Sequence, residues 1–177
     1  VSVRFDLSDE TKIEAEKIIK KNYRSMLLNT RLEGARTVKD WADNLTLERL
    51  YSSNVSRCKE SNLSSFPHLK VTRQMESIIR KEFPDKRVRS TGYFHYPPTG
   101  FMGWHTNAND PGDRLYISWC NEGSKSFFRY IEDGKLVTDY DDEGLTARYF
   151  KVTGEEPLFW HCVGSETDRL SFGYLIR

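Results

Sequence analysis

The chain has only four histidines, His68, His95, His105 and His161. His105 closes a run rich in proline and glycine, Tyr96-Pro-Pro-Thr-Gly-Phe-Met-Gly-Trp-His105-Thr-Asn107. His161 lies in Pro157-Leu-Phe-Trp-His161-Cys-Val163, and Arg169 and Ser171 follow in Asp168-Arg-Leu-Ser171-Phe-Gly-Tyr. Two neutral imidazoles from different strands can hold a divalent metal. An arginine on the next strand can grip a carboxylate through two parallel hydrogen bonds, and a hydroxyl two residues on shares its face. Each residue also has a plainer reading. A histidine on a strand is usually a hydrogen-bonded structural residue, and Arg169 can pair with Asp168 or Glu166 at a surface. His95 reads as a core or supporting residue in phase with Tyr93, and His68 as a surface residue. Trp104 and Trp160 precede the two candidate ligands and so point to the opposite face, as core.

These residues need elements to hold them. Before about residue 86 the pattern is helical. Ser8 can cap a helix to about Asn29, with Ala15, Ile18, Ile19, Tyr23, Met26 and Leu27 close to helical spacing. A short helix is expected over 45–52. A third is expected after Ser65 as cap and Pro67, with Val71, Met75, Ile78, Ile79 and Phe83 on one face and Pro84 as its stop. Residues 30–36 and 52–65 read as loops. After Lys86 short aromatic and β-branched runs take over, at 87–96, 114–120, 126–131, 135–140, 146–152, 157–163 and 169–176. Turn signals separate them, Asp133-Gly134 as a hairpin. The expected fold is α+β, mainly β. It is a single domain over 1–177, with a helical support region over 1–85 and a sandwich or jelly-roll core over 86–177.

The order and setting of His105, His161, Arg169 and Ser171 resemble the iron(II)- and 2-oxoglutarate-dependent oxygenases. The match covers about residues 87–177, and the Tyr-Pro-Pro-x-Gly-(x)4-His run resembles the stretch before the first ligand in several branches. The resemblance implies a double-stranded β-helix (jelly roll) with two or three helices packed on one sheet. It implies Fe(II) held by His105 and His161, and 2-oxoglutarate held by Arg169 with Ser171. Tyr96 or Tyr93 would add a hydrogen bond to the cosubstrate. O2 would be consumed, 2-oxoglutarate would become succinate and CO2, and a substrate C–H would be oxidised, usually hydroxylated.

One position departs from the family's pattern. Two residues after His105 stands Asn107 rather than Asp or Glu. Asn107 can be the third ligand of a weaker site, Asp110 can swing in instead, the site can keep two histidines with an extra open position, or the domain can be a non-catalytic relative. The first is favoured. The rival from another class is a non-catalytic jelly-roll binding domain. A second rival is a cosubstrate-free metal enzyme with His95, His105 and His161 as ligands. The polar, glycine-containing stretches 107–113 and 141–144 are candidate substrate lids.

Composition bounds the rest. With 177 residues, 37% hydrophobic and 30% charged, the chain is globular rather than disordered. No apolar run is long enough for a membrane span, and Val1–Glu10 carries no signal-peptide pattern. Cys58, Cys120 and Cys162 are too few and too scattered for a disulfide framework, which suits a cytoplasmic setting. The acceptor patterns at Asn44, Asn54 and Asn62 read as chance. Residues 1–90 hold 19 Lys and Arg against 13 Asp and Glu, and residues 91–177 hold 8 against 13. Nucleic acid is therefore the less favoured substrate, behind a small molecule or a protein side chain.

Overall fold

The computed structural model describes residues 3–33, 41–52 and 60–177. Helix α1 spans Asp9–Leu28. Ser8 caps it as the sequence predicts, its Oγ accepting from Thr11 N at 3.2 Å. Ala15, Ile19 and Met26 form its buried face. After β1 (Arg31–Glu33) and a 3-10 turn at Trp41–Leu45 come α2 (Leu47–Leu50), β2 (Glu60–Ser61) and β3 (Leu63–Ser65). Helix α3 spans Lys70–Glu82 and buries Val71, Thr72, Met75, Ile78 and Ile79. Its cap is Leu69, whose backbone N–H donates to Thr72 Oγ1 at 2.8 Å. Ser65, the expected cap, ends β3 instead. Glu82 at the far end of α3 accepts from Ser8 and Thr11, locking the two helices together.

Eight longer strands follow: β4 (Val88–Tyr96), β5 (Phe101–His105), β6 (Gly112–Cys120), β7 (Ser126–Glu132), β8 (Lys135–Tyr140), β9 (Gly144–Val152), β10 (His161–Ser165) and β11 (Arg169–Ile176). They form two antiparallel sheets, ordered β1-β3-β4-β11-β6-β9 and β2-β5-β10-β7-β8. Among the described residues no strand belongs to both sheets, so they face one another without closing into a barrel.

Three expectations change. The first 85 residues are not helical support alone, since β1, β2 and β3 extend both sheets from stretches that read as loops. Phe101–His105, absent from the expected strand runs, is a strand; its backbone groups pair with β10 on one side and β2 on the other. The run expected over 157–163 starts as a strand only at His161 and reaches Ser165. Cys58 and the Asn54 acceptor pattern lie outside the described residues.

Alternation along the strands sorts side chains into two cores. Leu170, Phe172, Tyr174 and Ile176 of β11, with Tyr93 and Ile117, pack beneath α1 and α3 against Ile19, Met75 and Ile79. The other face of the same sheet looks at the second sheet, across a core of Tyr96, Phe128, Tyr130, Phe150, Val152 and Val163. A third cluster seats residues 41–50 on the second sheet through Leu45, Phe101, Trp104 and Phe127. No helix is long and apolar enough to cross a membrane.

Candidate functional site

His105 ends β5 and His161 begins β10, and the two are direct partners in the β5–β10 ladder. Cross-strand partners on one face lie close enough for their side chains to touch, and here the ring centres are 4.1 Å apart. His105 Nδ1 lies 2.7 Å from Gly103 O and His161 Nδ1 lies 2.9 Å from Phe159 O. A carbonyl can only accept, so both rings carry their proton on Nδ1. In a neutral imidazole that leaves Nε2 as the lone-pair nitrogen, the form a metal takes. His161 is completely buried, with Phe128, Phe150 and Phe159 rings within 5.5 Å of its own. Burial, then the neighbouring His105, holds its pKa well below the usual histidine value, so it stays neutral.

Asn107 stands two residues past β5 with φ 56°, a left-handed conformation that asparagine tolerates better than most residues. Its Nδ2 donates to Tyr116 Oη at 3.2 Å and lies 3.3 Å from His161 Nε2. The structure thus brings His105, Asn107 and His161 together. Asp110 is held elsewhere: Arg89 and Arg177 bind its carboxylate at 2.5 and 2.8 Å. Among the described residues no group of three or more His, Cys, Asp or Glu is placed to hold a metal ion, and any metal here would rest on two imidazoles and an amide.

A cavity of about 440 Å³ opens beside this trio. Arg169, Ser171 and Tyr96 line it with His105 and Asn107. Arg169 is 2% exposed. Its Nε donates to Asp141 at 2.8 Å, its guanidinium lies 5.0 Å from the Tyr96 ring centre, and its Nη1 has no partner. A buried guanidinium N–H without an acceptor is costly, and a ligand carboxylate or carbonyl in the cavity would satisfy it. Burial works against the Arg169 charge, but Asp141 outweighs it and raises the pKa further.

Tyr93 is not brought to this site. It is three residues from Tyr96, hence on the opposite face of β4, packed with Phe66, Phe172 and Tyr174 under the helices. His95 shares that face and lies 2.9 Å from Asp168, so His95, His105 and His161 do not converge as a three-histidine site. Trp104 turns away from the cavity and donates to Thr46 O at 3.0 Å. Asp141, expected in a mobile lid, is 1% exposed and tied to Arg148 and Arg169.

Two cavity residues had no specific signal in the sequence. Tyr116, whose aromatic run suits either core or a pocket wall, accepts from Asn107. Arg114, two residues earlier on β6, is 2% exposed and has an unpartnered Nε. Their spacing puts both on one face of a strand, but nothing local distinguishes a cavity-facing arginine from a solvated one.

No family model matches the chain, and no curated protein matches it. Among solved structures, it is similar to a 2OG-Fe(II) oxygenase family oxidoreductase from Burkholderia pseudomallei, at 10% identity and TM-score 0.46, over 99% of this chain and 95% of that one. It is similar to a Pseudomonas putida prolyl-4-hydroxylase at 14% identity and TM-score 0.47, over 100% and 90% of the two chains. A cupin domain from Bordetella pertussis aligns with 52% of this chain and 81% of its own, at 16% identity and TM-score 0.32. These scores are low, and the functional reading rests on the side chains themselves.

Proposed function

We propose that the chain is a jelly-roll oxygenase that uses Fe(II), 2-oxoglutarate and O2 on a small-molecule or protein substrate. Support for the jelly-roll reading comes from the strand order: β4 to β11 are divided between the sheets as β4-β11-β6-β9 and β5-β10-β7-β8, with β7–β8 the one consecutive pair that stays within a sheet. The observation that carries the functional reading is one cavity that gathers a candidate ligand pair and a buried arginine with an unmet donor. His105, Asn107 and Arg169 line the cavity, His161 stands directly behind with its ring centre 4.1 Å from that of His105, and the buried Nη1 of Arg169 lacks an acceptor.

Bound Fe(II) with 2-oxoglutarate and O2 supplies the oxidising power for a C–H bond. The chain's own part is to bind, orient and exclude water. His105 and His161 are fixed in the ligand tautomer by Gly103 O and Phe159 O. Asn107 offers its amide oxygen to a metal once the amide turns, since its nitrogen faces His161 here. Two imidazoles and an amide are neutral donors, so a divalent ion keeps its full charge and favours an anionic cosubstrate at the remaining positions. Arg169 Nη1 suits the far carboxylate of that cosubstrate, with Ser171 on the same strand face. The phenyl rings around His161 keep water from the ligand side.

A second reading has its own observation. Asn107 Nδ2 already lies against both Tyr116 and His161, so these three side chains are hydrogen-bonded without a metal, as suits a non-catalytic binding domain. Anaerobic addition of Fe(II) and 2-oxoglutarate separates the two. The oxygenase reading expects a weak visible metal-to-ligand charge-transfer band, absent in His161→Ala and in Arg169→Ala. A folded wild-type protein that retains no metal and gives no band would overturn it in favour of the binding domain.

A further inference from the structure

The cavity has a second buried guanidinium with an unmet donor, and it lies far from the first. Arg114 and Arg169 both line the wall formed by the first sheet. In the β6–β11 ladder Arg169 faces Cys120 and Arg114 faces Leu175, six residues along. Six strand residues span roughly 20 Å. A short dicarboxylate anchored on Arg169 therefore leaves Arg114 to another group. Arg114 is also close to the reacting centre. It stands two residues, about 7 Å along the strand, from Tyr116, which accepts from Asn107.

The charge around Arg114 is unbalanced. Its Nη2 donates to Asp110 O and lies 3.7 Å from the Asp110 carboxylate. That same carboxylate already receives Arg89 and Arg177. Three guanidinium groups thus share one carboxylate, and the Arg114 Nε–H has no acceptor. Arg89 and Arg177 are about half exposed, so the cluster runs from the cavity wall to the solvent. A cationic rim on a concave site draws in anions, and an unpartnered buried guanidinium N–H selects an oxygen acceptor with charge.

We infer that Arg114, backed by Arg89 and Arg177, receives a carboxylate or phosphate of the primary substrate, which is a small anionic molecule. This rests on the oxygenase reading for the word substrate, and on Arg114 alone for the anion site. A cavity of this volume takes a small molecule rather than a folded partner.

Calorimetric titration of the full chain with inorganic phosphate, and separately with acetate, tests it at constant ionic strength. Both titrations are repeated in Arg169→Met, so that acetate at the other arginine is not counted. Arg114→Met should weaken the preferred anion by about tenfold or more. Because Arg114 is buried, Arg89→Gln/Arg177→Gln is the companion variant. It removes two exposed charges, leaves the core intact and should weaken binding several-fold. Tighter phosphate marks a phosphate-bearing substrate, tighter acetate a carboxylic acid. Unchanged affinity in either folded variant overturns the site. So does an oligothymidine that binds more tightly than phosphate with the same Arg114 dependence, which would make the ligand a nucleic acid. Titration with 2-oxoglutarate separates this from the parent reading: its binding should vanish in Arg169→Met and persist in Arg114→Met. Loss of 2-oxoglutarate binding in the wild type strikes the oxygenase reading and leaves the anion result standing.

Discussion

Asn107, as the proposed third ligand, would set the strength of a metal centre at this site. An amide oxygen is a neutral and weaker donor, whereas a carboxylate would cancel half the charge of a divalent ion. The backbone does not demand asparagine, since aspartate also tolerates a φ near 56°. The local hydrogen bonds do favour it: only an amide can donate to both Tyr116 Oη and His161 Nε2. Asn107→Asp should therefore raise affinity for Fe(II) or its redox-inert stand-in Mn(II) by about tenfold or more, measured by competition with a chelating dye. It should also weaken the metal-free hydrogen-bond pattern, because an ionised carboxylate cannot donate to His161. Equal affinity in the two proteins would mean that residue 107 does not touch the ion.

The two histidines meet because β5 and β10 are paired, and this ladder is tightly packed on its outer side. A Cβ added at Gly164 of β10 would come within 2.7 Å of Leu45, Phe127 and Trp41. Leu45 can turn aside, but the two rings are rigid and buried or half-buried. Gly164→Ala should cost about 1–3 kcal/mol, seen in denaturant unfolding, and should weaken metal binding by shifting the strand that carries His161. A stable variant with unaltered metal affinity would show that the ladder tolerates strain there. The same ladder marks what could be read from the sequence. Helices α1 and α3 were legible because a capping serine, apolar spacing and Pro84 are local signals. Strand β5 was not, because Pro97, Pro98, Gly100 and Gly103 mask a strand that exists only through its partners β10 and β2. The histidines, Arg169 and Ser171 were legible from type and order. Tyr93 was misplaced although its odd spacing from Tyr96 already puts them on opposite faces. Arg114 and Asp141 show their roles only when the sheets bring charges together.

At the scale of the whole molecule, a chain of charges that runs from the surface at Arg4 into the core ties both sheets to the first residues and ends on the buried Arg169. Arg4 binds Asp139 and Asp142 at 2.8 Å each, Arg148 binds Asp139 at 2.7 Å and Asp141 at 2.6 Å, and Asp141 receives Arg169 at 2.8 Å. Ser118 from one sheet and Ser126 from the other also donate to Asp141. Burial alone would raise the Asp141 pKa, but Arg169, then Arg148 and Ser126, outweigh it and hold the carboxyl well below the usual carboxylate range. Removing that charge strands two buried arginines, so Asp141→Asn should destabilise the protein by about 3–5 kcal/mol at neutral pH. The pH dependence follows from linkage. In the unfolded chain the carboxyl takes up its proton near pH 3.9, while the native one stays ionised far below. The stabilisation is thus complete above about pH 4 and is lost progressively as the pH falls further. Urea unfolding of wild type and Asp141→Asn should show a constant gap from pH 7 to 5 that narrows below about pH 4. A gap independent of pH down to 3 would mean that the aspartate acts through packing rather than charge. Because Arg169 hangs on this carboxylate, the proposed 2-oxoglutarate binding should weaken in the same variant even at temperatures where it is fully folded, which would tie the integrity of the two-sheet frame to the Arg169 end of the cavity.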